Sequence, residues 1–363
     1  MRRLQCRTRQ SGAALLAAML TVTLVATFAA AALWQQWRSV EIETAERARV
    51  QAAWILTGAL DWSRLILRED SRAGGADYLA EPWAVPLNEA RLSSFLAVDK
   101  NASETEREAF LSGQVIDLQG KLNVNNLIEG NSLSTPALAA FSRLFELLGL
   151  PKEQLLTLAS SLLSAVRDPA PPAAVPNPGA ASALTGAATA ATPAASTPAV
   201  PLTPQVPVVA PVATALSPLM PERVGQLAWL GLPRETLTAL GPYITLLPQR
   251  TTVNLNTASA EVIYASTPGL DRTDAQRLVT ARDRKHFSTL ADANQQMGGA
   301  DVRFTDAQHA VASRFFEVTG QLRLEQTLVQ ERSVLQRDGL QVRTLWRDRG
   351  VVISPPPASG SRP

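Results

Sequence analysis

Cysteine, histidine and net charge are all scarce in this sequence, and each shortage closes a route to function. Cys6 is the sole cysteine and stands before the first apolar run, so the body of the chain holds no internal disulfide, cysteine nucleophile or thiolate metal ligand. His286 and His309 are the only histidines, which leaves little material for histidine-based catalysis. The 34 Lys and Arg nearly cancel the 32 Asp and Glu, a smaller basic excess than a protein living on nucleic acid usually carries. No Walker loop, Gly-x-Ser-x-Gly or His-Glu-x-x-His occurs. Asp61, Glu69, Asp70, Asp77 and Glu81 supply carboxylates, but no spacing pairs them with a base or nucleophile in a recognisable motif. These absences point to a structural protein.

Charge is also missing from two long runs. From Gly12 to Leu33 there is no charged residue, while Arg2, Arg3, Arg7 and Arg9 precede the run with no acid among them. About 20 apolar residues in a helix span a bilayer core, and basic residues before the span hold that end in the cytoplasm. Leu15, Leu16, Ala17 and Leu20 would lie in lipid, and Trp34 and Trp37 follow where indoles favour the interface. A cleaved secretory signal is the competing reading, with Ala29–Ala32 as its processing site. Against it, the helical pattern continues: Val40, Ala45, Ala48, Ala52, Ile55, Ala59, Trp62 and Ile66 recur at spacings of three to five. No proline interrupts residues 13–81. The pattern predicts one helix of about 55 residues, on the order of 80 Å long. Its first half would sit in lipid, and one face of its second half would pack on a soluble domain.

The second uncharged run, from Pro169 to Pro221, is dominated by Ala, Pro, Thr and Val. Such a stretch cannot propagate a helix and has little to bury, so it predicts a disordered or polyproline II-like insertion. A passive spacer is the simpler reading of it than a partner-binding segment.

Between the runs, residues 70–101 predict loops and a short helix. Val115–Leu118, Gln119-Gly120 and Leu122–Asn125 predict a strand, a turn and a strand. Helices are predicted over Thr135–Leu148, Lys152–Val166, Glu222–Leu230, Arg234–Leu240, Ser259–Ser266, Arg272–Arg284 and Thr289–Gln296. Pro242–Pro248 reads as a short strand. Phe315–Leu324, Gln330–Gln336 and Gln341–Trp346 read as strands, with Asp338-Gly339 as a hairpin turn. Asn123, Asn125, Asn254 and Asn256 are placed to brace turns by bonding nearby backbone, and Thr257 or Asn256 to cap the next helix.

Ser11-Gly12 after a basic leader, followed at once by Ala-Ala-Leu-Leu-Ala, resembles the prepilin-peptidase site of type IV pilins and pseudopilins. The resemblance implies cleavage after Gly12 and a new, usually methylated, N-terminus at Ala13. Most members carry glutamate at the fifth mature position. Here it is Ala17, the pattern of the K-type minor pseudopilin. Asp117–Asn125, Pro242–Pro248 and above all Val253-Asn254-Leu255-Asn256-Thr257-Ala258-Ser259 extend that resemblance over most of the chain.

The implied fold class is α+β: a long N-terminal transmembrane pilin helix and a pilin-like α/β domain with an inserted, mostly helical (helix-hairpin-helix/SAM-like) domain. The expected divisions are a leader at 1–12, the helix at 13–70 with 13–33 in the membrane, and the first part of the α/β domain at 71–130. The inserted domain would occupy 131–296, interrupted by 169–221. C-terminal strands at 297–350 would complete the α/β domain, with a disordered tail at 351–363.

The resemblance implies a minor pseudopilin of the type II secretion system that starts and caps the pseudopilus tip. It would be anchored once in the inner membrane, with its N-terminus cytoplasmic and its head in the periplasm. Implied partners are the I-type and J-type minor pseudopilins, the major pseudopilin and the prepilin peptidase, with secreted substrates and the outer-membrane channel left open. No cofactor is expected from the residues. The family carries a calcium loop whose place here is taken by the uncharged stretch after Asp168, so calcium stays open without identifiable ligands. The rival function is DNA binding or uptake. Pro268-Gly269-Leu270-Asp271 and the helix bearing Arg277, Arg282, Arg284 and Lys285 resemble a helix-hairpin-helix module. Gly269 is present there, but Asp271 and Asp274 stand where a phosphate should sit.

Overall fold

The computed structural model describes residues 11–92, 109–167, 219–297, 302–324 and 327–352. The leader before Ser11, most of the Pro/Ala-rich run, Asp168 and the tail beyond Val352 lie outside the described residues. Helix α1 runs unbroken over Ser11–Ala73. It stops at Gly74 and Gly75, whose φ values of 69° and 116° suit only glycine without strain.

The chain divides into two compact units, one holding everything up to Leu118 and from Val311 onward, the other Gln119–Ala310. The first unit contains α1, β1 (Leu87–Arg91) and β2 (Ala109–Asp117), and three later strands described below. In the second unit, a turn at Leu118–Gly120 leads to β3 (Leu122–Asn123), and β4 (Ile128–Glu129) and β5 (Ser132–Leu133) make a small hairpin. Helices α2 (Thr135–Leu147) and α3 (Lys152–Arg167) follow. Next come a 3-10 segment Val224–Leu230, α4 (Arg234–Leu240), β6 (Ile244–Thr245) and β7 (Val253–Asn254). Then come α5 (Ala260–Ser266), α6 (Arg272–Arg284), α7 (Leu290–Gln296) and β8 (His309–Ala310). The chain returns to the first unit for β9 (Phe315–Leu324), β10 (Thr327–Asp338) and β11 (Gln341–Val352).

The first unit is an antiparallel five-stranded sheet in the order β1-β2-β9-β10-β11. The second half of α1 packs on it through Ala52, Leu56, Leu60 and Leu67, which meet Leu111, Leu322, Phe316 and Leu335. Positions four apart share a helix face, which explains this stripe. The face is offset from the expected one: Trp62 is 58% exposed, while Leu56, Leu60 and Leu67, outside the expected pattern, are buried. The inner stripe is leucine and alanine because the approach is close. A Cβ on Gly320 would lie 3.2 Å from the Leu56 side chain, and one on Gly113 only 2.7 Å from the Thr319 carbonyl. In the 70–101 region the described part contains strand β1, which the sequence reading did not place. Residues 93–101, where the expected short helix could fall, lie outside the described residues.

The second unit corrects three local expectations. β3 does not form a hairpin with β2; it pairs in parallel with β6, Leu122 opposite Ile244. Gly120 serves a close approach instead, since its Cβ would lie 3.0–3.1 Å from Thr257 atoms. The cap of α5 is neither Asn256 nor Thr257 but Ser259, whose Oγ accepts from the Val262 N–H. The segment at Val224–Leu230 is a 3-10 helix ending at Gly231, with φ of 91°. The parallel pairings β3/β6 and β7/β8 carry residues 119–130 and 297–310 into this unit, so it is wider than the 131–296 read from the sequence.

The Gly320–Leu56 contact yields a stability test. Gly320→Val should destabilise the first unit by about 1–3 kcal/mol through overpacking, and Leu56→Ala by about 2–5 kcal/mol through a cavity. The double variant should cost less than the sum, because the valine occupies space the leucine vacates. Urea unfolding of the four proteins measures this coupling, and strict additivity would refute the packing described.

Candidate functional site

Three of the turn residues singled out by sequence, Asn123, Asn254 and Asn256, act as braces. Asn123 Oδ1 accepts from the backbone N–H groups of Asn125 and Leu247, each at 3.1 Å, and its Nδ2 donates to the Gln249 carbonyl at 2.8 Å. Asn254 Oδ1 accepts from the Asn256 N–H at 3.0 Å. Asn256 makes a reciprocal pair with Phe287: its Nδ2 donates to the carbonyl and its Oδ1 accepts from the N–H, both at 2.9 Å. Asn125 joins through its backbone, while the neighbouring Asn126 also bonds both backbone groups of Thr251, a role the sequence did not suggest. Thr257 packs against Gly120. Gly269 has φ of 78°, which fixes it as glycine in the turn before α6.

The same turn tests the nucleic-acid reading. Arg282, one of the basic residues a phosphate would need, is buried, and its Nη1 donates to the carbonyls of Leu255 and Ala258. Arg277 pairs with Asp274 inside α6, and Asp271 occupies the helix N-cap. Arg282 is engaged by backbone and Arg277 by an acid, and two carboxylates face the place of a phosphate. His309 is also internal: its Nε2 lies 3.2 Å from Ser266 Oγ and 3.1 Å from Thr267 Oγ1, and its ring meets Phe304 edge-on at 5.1 Å. Burial pushes its pKa down to about 4, so it is a neutral packing residue.

The first unit holds a charged cluster that no sequence motif announced. Oxygens of Asp70, Asp77 and Glu81 lie within 4.8 Å of one another. Arg337, from β10, reaches into the cluster and donates to Asp70 Oδ2 at 2.5 Å, to both Asp77 oxygens at 2.6 Å and to the Ser313 carbonyl at 2.7 Å. Asp77 also accepts from the Ser313 N–H at 2.6 Å, and Asp117 accepts from Ser313 Oγ at 2.6 Å. Glu81 accepts from the Tyr78 N–H and, at 2.7 Å, from the Trp83 indole. These residues are separated by up to some 260 positions, which is why spacing gave no signal.

Burial raises the Asp77 pKa to about 6 although Arg337 and the Ser313 N–H pull it down. Burial, reinforced by the charges of Asp70 and Asp77, raises Glu81 to about 7 against its two hydrogen-bond donors. Burial works against the Arg337 charge too, but its bonds to Asp77 and Asp70 outweigh it, so Asp77 is the member of the pair that takes up a proton. The cluster does not fit calcium. That ion needs six to eight oxygens, and here a guanidinium already sits on two of the three carboxylates. The arrangement cross-links the end of α1, the loop after it and the entry to β9 through Arg337 of β10.

Of the anchor residues, Leu15, Leu16, Leu20, Trp34 and Trp37 are each 58–68% exposed along α1, and Ala17 is exposed as well. Among the described residues α1 is the one helix long and apolar enough to cross a membrane. Gly12 and Ala13 fall in its first turn.

Family models described as type II secretion system protein K match residues 120–249 and 253–313, together just over half of the chain and almost all of the second unit. The chain belongs to the type II secretion system protein K family. The type II secretion system protein K of Pseudomonas aeruginosa is 26% identical over 366 residues, spanning 98% of this chain and 97% of that protein. A chain in the solved GspK-GspI-GspJ complex from the type 2 secretion system of enterotoxigenic Escherichia coli shares the fold. Its TM-score is 0.58 at 15% identity, covering 84% of this chain and 98% of that one. The α+β class agrees with that neighbour. Family membership makes the chain a minor pseudopilin of type II secretion, a structural component.

The pKa shifts make the two units respond oppositely to acid. The raised carboxyls keep protons in the folded first unit that the unfolded chain has released, so acidification from pH 7.5 to 5.5 stabilises it. Unfolded histidine, with its ordinary pKa near 6.5, takes up a proton that folded His309 refuses, so the same change destabilises the second unit. Hydrogen exchange, corrected for intrinsic rate, should show greater protection in β9 and β10 and less in α5 as pH falls. Glu81→Gln should blunt the first response, and His309→Asn the second. Parallel changes in both units would contradict these assignments.

Proposed function

We propose that the chain is a membrane-anchored minor pseudopilin that starts and caps the tip of the pseudopilus, acting by assembly and without chemistry of its own. The observation that carries the reading is the surface of α1. Its apolar residues stay exposed through the bilayer length and beyond it, at Val40, Ile42, Val50, Trp54 and Trp62. A helix covered by lipid alone has no need of apolar surface past about 20 residues, whereas one that enters a bundle of like helices has partners along its whole length.

In this reading a prepilin peptidase cuts after Gly12, and Ala13 becomes the N-terminus of an inner-membrane helix with the head in the periplasm. Ala17 stands where most pilins keep a carboxylate that compensates the terminal amine of a neighbour. A subunit with nothing above it can omit that charge, which is costly in apolar surroundings. Partners are then the I-type and J-type minor pseudopilins and the major pseudopilin, with secreted substrates and the outer-membrane channel as further contacts of the head. The solved GspK-GspI-GspJ complex supports the I-type and J-type partners. The domain outline stays as first read, apart from the wider insertion.

Two measurements test the proposal. Mass spectrometry of the protein expressed with and without a prepilin peptidase should find a peptidase-dependent start at Ala13; an intact Met1, or a cut after Ala29–Ala32, defeats it. Gold labelling of the head on isolated pseudopili should mark one end of each fibre, and labels spaced along the shaft would defeat the tip position.

A further inference from the structure

A groove of about 620 Å³ lies between the last turns of α1 and the start of β11, walled by Asp61, Arg64, Leu65, Arg68, Leu340 and Arg343. It is separate from the Asp70–Asp77–Glu81 cluster, and nothing described above uses it. Three guanidinium groups around one cavity repel each other unless anions are shared among them. Asp61 lies within the groove and pairs with Arg64. Glu69 and Asp338 beside it pair with Arg68 and Arg343, but each is shared with a further arginine, Arg72 and Arg314.

The three differ in how far they are committed. Arg64 is fixed: Nε and Nη2 donate to the Val342 carbonyl at 3.1 and 2.8 Å, and Nη1 to Asp61 at 3.1 Å. Arg343 directs Nε and Nη2 to Gln336 Oε1 at 3.2 and 2.9 Å. Arg68 makes no hydrogen bond among the described residues and only approaches its neighbour Glu69 at 3.7 Å. Beside it stand two apolar side chains left in water, Leu65 at 43% and Leu340 at 51% exposed. β11 is the last strand of the sheet, and among the described residues no strand lies against its outer edge. A long open edge is a template for another extended chain.

We propose that this groove is a docking site for an extended acidic segment of a partner protein. Carboxylates of the segment pair with Arg68 and Arg343, and its apolar residues cover Leu65 and Leu340. Arginine suits this role because its planar fork takes a carboxylate through two parallel bonds. The volume falls within the roughly 300–1,000 Å³ of ligand sites and exceeds what a lone small anion would need. A nucleic-acid backbone is disfavoured, because it would leave Leu65 and Leu340 uncovered. The inference does not depend on the tip position.

The test uses the full chain in detergent micelles and a fluorescein-labelled octapeptide of alternating glutamate and valine, followed by fluorescence anisotropy. The peptide should bind, more weakly at higher salt, and Arg68→Glu with Arg343→Glu should weaken it by about tenfold or more. A lysine-valine octapeptide should not bind, and Arg234→Glu, in the second unit, should leave binding unchanged. If the double variant melts early, Arg68→Glu alone decides, since that side chain holds no internal bond. Equal binding of the lysine peptide, undiminished binding to Arg68→Glu, or no binding of the glutamate peptide would overturn the proposal.

Discussion

The first unit depends on Arg337 because its chain is discontinuous. The residues that build its sheet come from either side of a second folded unit, and something must hold the two portions together. Arg337 on β10 bonds Asp70 at the end of α1, Asp77 in the following loop and the Ser313 carbonyl at the entry to β9. Its guanidinium also lies 4.8 Å from the centroid of the Phe316 ring, in cation-π range. A buried charge would cost several kcal/mol by itself; with its donors shared among two acids and a carbonyl, it becomes a fixed joint. Such a joint contributes position as much as stability, since removing either partner leaves a buried, unpaired charge.

The way the chain leaves and re-enters this unit explains why so large an insertion is tolerated. It departs at the end of β2 and returns just before β9, and those strands are neighbours, with Asp117 opposite Phe316. Asp117 accepts from Ser313 Oγ at the crossing, and the Asp77 N–H donates to the Val311 carbonyl beside it. The sheet therefore closes as though the connection between β2 and β9 were short. Loop-closure entropy grows only with the logarithm of loop length, so an insertion there adds little to the cost of pairing the strands.

Elements defined by local periodicity were legible in the sequence. The unbroken helix, α2, α3, α6 and the three C-terminal strands follow from spacing, caps and one Asp-Gly turn. The asparagine braces were legible too, because an asparagine next to a strand end has few better uses than bonding the local backbone. What was hidden depends on distance or on competition between similar signals. The cluster at Asp77 joins residues hundreds of positions apart. The two-residue parallel strands are too short to produce an alternation. On α1 the expected pattern placed Trp62 inward, but Leu56 takes the close approach at Gly320 and the buried face runs through Leu56, Leu60 and Leu67, so Trp62 turns outward. Ser259 takes the cap of α5 in place of Thr257, because Thr257 is held against Gly120 in the turn before it.

The second unit shows how a module with the outline of a nucleic-acid binder serves as a scaffold. A helix N-terminus after a glycine turn attracts phosphate only if its surroundings are basic and exposed. Here Asp271 and Asp274 stand at the first turn of α6, and Arg282, on the same helix, points inward to bond the carbonyls of Leu255 and Ala258. Those carbonyls belong to the asparagine-rich turn between β7 and α5, the part of the chain that also carries Asn254, Asn256 and Ser259. The arginine that might have faced a phosphate instead closes the turn, and His309 beneath it stays neutral among Ser266, Thr267 and Phe304. The polar side chains at this turn, Asn254, Asn256, Ser259 and Arg282, are bonded within the unit and hold its shape.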